Sequence, residues 1–272
     1  MARIASLSVL LTTTGNDFLA EKYGEVIANV QKDTMAQRIK NKSLSGDPTT
    51  GTVEAKRFEN TASSNYGTAR AAGAGTKLKA EPVTISINKD KELVNEIEEK
   101  DVKLYGVDAV ISKKAAMDKK SMERELEKAF WAEAVNAGTK VTLTATDIQE
   151  QMEELIQKLE TVSNNYVDGV PRDMIKLVLA PSEYGKIRTY LDKVELDGQK
   201  EAVTMYHGVE VESSVYLPSG TKGVCICDEA IAQPILPTVM PAEKIQLSNA
   251  YAFGMFYSYG TKAVTPDLIF HI

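Results

Sequence analysis

Cys225 and Cys227 stand two apart in Gly223-Val224-Cys225-Ile226-Cys227, a run that predicts a strand with both thiols on one face. A thiolate metal or redox site would need further thiol or imidazole ligands at workable spacing. The chain has 2 cysteines and 2 histidines in all, and His207 and His271 lie far apart in sequence. The thiols therefore read as small buried hydrophobes. So few cysteines in 272 residues fit a reducing compartment, not a disulfide framework. His207 precedes Gly208 between two short alternating runs and reads as a turn residue. The sequence contains no Ser-His-Asp order, G-x-S-x-G elbow, Walker loop or dinucleotide fingerprint. Ala71-Ala72-Gly73-Ala74-Gly75 is glycine-rich, but no helix start with Lys-Ser/Thr follows, so it reads as backbone freedom. No catalytic residue, metal ligand or cofactor is expected.

Charge is the other chemistry on offer. Glu96, Glu98, Glu99 and Asp101 cluster, but Lys100 and Lys103 alternate with them. A catalytic carboxylate pair would want a cleft that raises one pKa; this pattern reads as a solvated or inter-subunit face. Lys56, Arg57, Arg70, Lys77 and Lys79 make a basic set in the preceding segment. They either keep an exposed strand edge soluble or pair with acidic surface on a neighbouring molecule, and the sequence leaves both open. Trp131 reads as a packing or interface anchor.

The basic set sits on an unusual element. Val53–Phe58 and the alternating Val83-Thr84-Ile85-Ser86-Ile87 predict two strands of a long hairpin within Gly51–Ile97. Between them the chain is Gly, Ala, Ser, Thr and Asn, with Tyr66 its one large apolar side chain before Leu78. Structureless connections beyond about 12–15 residues are uncommon in compact domains. Fixing Asn60–Pro82 would cost on the order of 20–40 kcal/mol. Burying Tyr66 and Leu78 would return only about 3–6 kcal/mol. The hairpin is expected to be ordered by a neighbour and mobile in the isolated subunit. Its reach is large, since about 14 residues of strand extend roughly 45 Å.

The remaining elements frame that hairpin. A helix is expected from an Asn16-Asp17 cap to about Asp33, with Leu19, Tyr23, Val26, Ile27 and Val30 at helical spacing. Arg38–Pro48 reads as an exposed polar arm. Asn88–Lys100 reads as mostly extended, and Val102–Leu104 and Val107–Ile111 as short extended pieces. A long helix is expected from Ser121 to a Gly138 stop, with Met122, Leu126, Ala129, Phe130 and Ala134 as its apolar stripe. A second helix starts at Thr146 in capping-box form and buries Ile148, Met152, Leu155, Leu159 and Val162. Ile175–Leu179, a helix through Tyr184, Ile187 and Leu191, a hairpin across His207-Gly208 and the cysteine strand make a compact α/β block. Aromatic strands at Ala252–Gly260 and Leu268–Ile272 close the chain.

Composition narrows the class. Hydrophobic residues are 43% and charged residues 26%, with a net charge of −6. An acidic balance argues against gripping nucleic acid by phosphate neutralisation. No apolar run approaches the roughly 18 residues of a membrane span. Met1–Leu11 has a weak signal-peptide look, but Ser6 and Ser8 interrupt the apolar run and no small-x-small cleavage site follows.

The order of these parts resembles a known family. The N-terminal helical arm and glycine/alanine-rich hairpin lead into the helix beginning Ser121-Met122-Glu123-Arg124-Glu125-Leu126-Glu127-Lys128-Ala129-Phe130. A second helix follows, then the block holding Leu177-Val178-Leu179-Ala180-Pro181-Ser182-Glu183-Tyr184 and His207-Gly208-Val209-Glu210-Val211, then aromatic strands. This whole-chain order is similar to tailed-bacteriophage major capsid proteins of the Hong Kong 97-type family. The likeness lies in the order of elements, because no short motif is diagnostic by itself.

The resemblance implies an α+β fold with an N-arm at 1–45, an E-loop hairpin at 46–101, a P-domain at 102–170, an A-domain at 171–234 and a return to the P-domain at 235–272. Ser121–Ala137 would be the spine helix. It implies no enzyme activity and no cofactor. It implies a homo-oligomer of hexamers and pentamers that closes an icosahedral shell around double-stranded DNA, without sequence-specific binding and without a membrane. Such a shell is built in the host cytoplasm and ends as part of the virion. With about 45 residues before the hairpin and no charged coiled-coil run, a separate scaffolding protein is expected, beside a portal protein. The inter-subunit contact candidates are Arg57, Phe58, Tyr66, Arg70, Lys77, Lys79, Glu98 and Glu99. Some relatives crosslink an E-loop Lys to a neighbour's Asn; Lys77 or Lys79 with Asn249 would be the pair here, with no motif behind it. The alternatives are an encapsulin-like nanocompartment shell, a ring- or tube-forming tail or adaptor protein, and a soluble enzyme with the hairpin as its lid. The last needs a convergent catalytic cluster that the sequence lacks.

Overall fold

The computed structural model describes residues 7–61, 63, 65–66, 79–191 and 205–272. A 3₁₀ turn, Leu7–Leu11, buries Leu7 and Leu10 and leads into α1 (Thr13–Asp33). The helix starts earlier than Asn16-Asp17 suggested. Thr12 has extended backbone and its hydroxyl accepts from the Gly15 amide at 3.3 Å, so Thr12 is the cap. Leu19, Tyr23, Val26 and Val30 are its buried stripe. α2 (Met35–Ile39) follows Thr34. It takes in the first residues of the expected exposed arm, and Ile39 is buried because α2 turns an apolar edge inward.

β1 (Leu44–Ser45) pairs with β2 (Thr52–Phe58), which pairs in turn with β3 (Ala80–Ser86). The β2–β3 register sets Val53 opposite Ile85 and Arg57 opposite Glu81, as the hairpin reading requires. β4 (Lys89–Glu98) is extended as expected. The next expectation fails. Residues 99–111 are helical: α3 (Glu99–Tyr105) and α4 (Val107–Ala137) meet at Gly106. The β-branched Val107, Val110 and Ile111 suggested strand, but Val107, Ile111, Ala115, Met122, Leu126 and Phe130 make one buried helical stripe. Ser121 therefore lies inside the helix. The true break is Gly106, whose φ of 79° only glycine takes readily. α4 has 31 residues and is about 46 Å long.

After β5 (Thr139–Lys140) comes α5 (Ile148–Glu160). Asp147 stands at its cap position without a side-chain bond, and the Glu154 carboxylate instead accepts from the amides of Thr144 (2.9 Å) and Ala145 (3.3 Å). β6 (Ile175–Leu179), α6 (Pro181–Leu191), β7 (Met205–Tyr206), β8 (Val209–Ser213) and β9 (Gly223–Cys227) form the expected block. His207 (φ 47°) and Gly208 (φ 89°) turn the β7–β8 hairpin as a left-handed pair. β10 (Ile231–Ala232), β11 (Ile235–Lys244), β12 (Ala250–Tyr259), β13 (Lys262–Ala263) and β14 (Ile269–His271) complete the chain. β11 escaped the sequence reading because Pro237 and Pro241 interrupt it; it is an edge strand, where a missing N–H is tolerated.

Two bodies result. A six-stranded sheet, β5-β14-β9-β6-β8-β7, packs with α5 and α6 around one core that includes Trp131, Leu155, Leu177, Val211 and Ile226. A three-stranded sheet, β11-β12-β4, lays Phe253, Met255, Tyr257 and Tyr259 against α1 and α4. α4 serves both: Phe130, Trp131 and Ala134 lie in the first core, Ile111, Met122 and Leu126 in the second. The closing strands divide between the sheets. β12 joins β4, whereas β14 joins β9 in the six-stranded sheet, so the tail does not return to one place.

Candidate assembly interface

The hairpin has its own small foundation. Val53, Ala55 and Ile85 are buried with Ala232 and Val264 in a separate cluster, flanked by Leu44, Val83 and Ile87. The alternation in β2 and β3 sends one face to this cluster and leaves Glu54 and Lys56 outward. The hairpin therefore has more internal support at its root than the sequence suggested.

One rung further out, the hairpin is fastened to its own subunit by polar contacts. Arg57 Nη2 donates to Asp267 Oδ1 at 2.6 Å and also to Oδ2. Its guanidinium lies 3.7 Å from the Tyr166 ring centroid. Tyr166 Oη donates to Glu81 Oε2 at 2.7 Å, which holds the tyrosine hydroxyl above its usual pKa. Asn164 Nδ2 donates to Asp267, and the Asn60 amide donates to the Asn165 carbonyl at 2.8 Å. Arg57, expected as an inter-subunit contact, is thus engaged within its own chain.

Beyond that rung the outward residues begin. Phe58 is 51% and Tyr66 91% exposed. Lys79 pairs with Glu59 at 3.3 Å across the hairpin and stays largely in solvent. Arg70 and Lys77 lie outside the described residues. The acidic candidates occupy another surface. Asp90, Glu92, Val94, Glu96 and Glu98 alternate along β4 and are all exposed, facing away from α1 and α4. Phe256 on β12, also exposed, stands directly opposite Glu92. Glu98 pairs with Lys100 at 2.6 Å, and Glu99 opens α3 in solvent, so the cluster is a charged face and not a cleft. Asn249 lies exposed in the β11–β12 connection.

Buried polar groups brace the body behind these surfaces. Glu127 on α4 accepts from Trp131 Nε1 and from the Ala36 amide at 3.0 Å, so it caps α2 from a distance; burial raises its pKa. Asp118 accepts from Tyr23 Oη at 2.8 Å and from Asn95 Nδ2, joining α4, α1 and β4; burial raises its pKa and that of Tyr23. Lys40 Nζ donates to Gln37 Oε1 at 2.5 Å and to the Gln233 carbonyl at 3.1 Å, and burial pulls its pKa down to about 8. These braces carried no sequence signal, because each depends on at least one contact between residues more than 90 positions apart. Trp131 is fully buried, as an anchor should be.

Cys225 and Cys227 are buried, and burial pushes the Cys227 thiol up to about 11 and Cys225 further still, which makes them poor nucleophiles. Among the described residues no group of three or more His, Cys, Asp or Glu side chains is placed to hold a metal ion. Among them, too, no helix is long and apolar enough to cross a membrane.

A long helix shared between a three-stranded sheet and a six-stranded α/β body, with a hairpin projecting from their junction, defines the Hong Kong 97-type shell fold. Solved structures bear this out over most of the chain. A structure from Mycobacterium phage Che8 matches with a TM-score of 0.60 and 17% identity, covering 81% of this chain and 84% of that one. The capsid structure of cyanophage P-SCSP1u matches with a TM-score of 0.58 and 13% identity, over 85% of this chain and 84% of that one. A virus-like particle from Pyrococcus furiosus matches with a TM-score of 0.59 and 10% identity, over 94% of this chain and 99% of that one. No protein-family model and no curated protein matches the sequence.

Proposed function

We propose that this chain is the major structural subunit of a tailed-phage head, assembling as hexamers and pentamers into an icosahedral shell around double-stranded DNA. The observation that carries the reading is the shell fold itself, shared with capsid and virus-like-particle structures over at least four-fifths of the chain. The projecting hairpin, with Phe58 and Tyr66 outward, supplies a device for reaching a neighbour. In this reading Phe58, Tyr66, Arg70, Lys77 and Lys79 of one copy lie against the acidic surface of the next, formed by the β4 face with Glu98 and by Glu99 at the start of α3. The work is geometric and has no turnover. The net charge of −6 suits a wall that must not hold its genome. Assembly on a separate scaffolding protein and around a portal, in the host cytoplasm, completes the proposal.

The Pyrococcus virus-like particle, matched over nearly its whole length, favours one second reading, a shell that encloses cargo protein in place of DNA. Size-exclusion chromatography followed by negative-stain imaging tests the first reading. Closed shells of uniform diameter are expected on co-expression with the scaffold. Rings, tubes or monomers alone would contradict it. DNA inside shells purified from an infected lysate separates the head from the cargo compartment.

A further inference from the structure

The Arg57–Glu81 rung is the last described place where both hairpin strands touch their own subunit, and both touch the same side chain. Arg57 on β2 stacks on the Tyr166 ring from one strand, and Glu81 on β3 accepts its hydroxyl from the other. Tyr166 sits in the tight Ser163–Asp168 turn after α5, where Asn164 Oδ1 accepts from the Tyr166 and Val167 amides. That turn belongs to the six-stranded body. Asp267, which grips Arg57 and receives Asn164, lies just before β14 of the same body. The apolar foundation of the hairpin, by contrast, involves Ala232 and Val264, nearer the chain crossing between the two bodies. An apolar root holds a ribbon in place but leaves its tilt soft. Directional contacts to both strands at one rung fix the tilt.

We infer that Tyr166, Arg57, Glu81 and Asp267 form a clamp that sets the direction in which the hairpin leaves its own subunit. These are positioning residues: the clamp couples the hairpin's pitch to the six-stranded body. Its use in shell building rests on the proposed function, but the clamp itself is a property of one chain. Arg57 then acts in cis, and the contact with the neighbour is left to the residues beyond it.

The experiment measures pitch in the unassembled full-length chain. Spin labels go on Lys79→Cys, two residue pairs outside the clamp, and on Lys120→Cys, exposed on α4; the native thiols are buried and do not label. Pulsed electron spin measurements on the parent should give a single narrow distance distribution. Tyr166→Ala and Asp267→Ala should broaden it about two-fold or more, since removal of directional contacts frees a rigid-body tilt. Tyr166→Phe, which keeps the ring and folds with the least disturbance, should broaden it less. Circular dichroism confirms that each variant is folded. A parent distribution as broad as the alanine variants, or alanine variants as narrow as the parent, overturns the clamp. Neither result depends on whether shells form, so failure of the clamp and failure of the shell reading remain distinct.

Discussion

The six-stranded body and the hairpin root are held by different means. The body buries a continuous core in which Trp131, Phe130, Leu155, Ile175 and Ile226 are all shut from solvent. The root has five buried residues, two of them alanine, and continues outward on polar contacts. A core of the first kind unfolds as a unit. One of the second kind opens locally, at a free energy far below that of the whole molecule. Adaptability therefore resides in the arm: the chain builds a stiff body and a hairpin whose aimed attachment opens at lower cost than the body.

The comparison breaks most readily at Trp131. Trp131→Ala should cost about 3–5 kcal/mol in global stability, through a cavity and the loss of the indole donor to one oxygen of the buried Glu127 carboxylate. Thermal unfolding of the purified subunit checks this. An equal loss from Ile85→Ala would erase the distinction between body and root. The expected result is that Ile85→Ala lowers the global melting temperature less than Trp131→Ala, while amide exchange along 52–58 and 80–86 accelerates roughly ten-fold or more. Loss of the hairpin's foundation is bounded by the hairpin's own opening energy.

A smaller effect comes from Lys40. Its folded pKa of about 8 lies below the unfolded value near 10.4, so the unfolded chain holds the proton over the interval between. Lys40 therefore contributes stability that grows as pH rises between about 8 and 10, while the buried Cys225 and Cys227 thiols, raised in the folded chain, slope the other way above their unfolded values. The two carbonyl acceptors on Nζ offset part of the burial, so a gain of about 1–2 kcal/mol is expected. Lys40→Met should remove that contribution, read as the difference in stability between parent and variant across the window. Smallest in stability, and largest in consequence, are the outward residues. Phe58→Ala and Lys79→Glu should change subunit stability by no more than about 0.5 kcal/mol yet reduce shell yield. Glu98→Lys in the same chain as Lys79→Glu should restore part of it if the acidic β4 face receives the hairpin. An unchanged yield in Lys79→Glu would remove electrostatics from that contact.

Much of this molecule could be read from residues in a row. The β2–β3 pairing, the buried stripes of α1 and α5 and the His207-Gly208 turn all follow from local periodicity and turn chemistry. The order of elements sufficed for the family resemblance. Two kinds of feature were not legible. β-branched residues hid the first four turns of α4, because helix and strand spacing look alike over a short apolar run and only the tertiary stripe decides. Prolines hid β11, because edge position cannot be seen before the sheet is known. Arg57 showed the limit for sites. A basic residue on a projecting strand looks like a contact for a neighbour, and its partners Asp267 and Tyr166 carry no local sign that they fold back onto it.

The central claim is that the hairpin beyond the Arg57–Glu81 rung serves assembly and not the fold of the subunit. Deleting residues 61–76 tests it most directly, with thermal unfolding and electron microscopy on the same preparation. The shortened subunit should keep the parent's melting temperature and form no shells where the parent does. Normal shells from the deletion would contradict it.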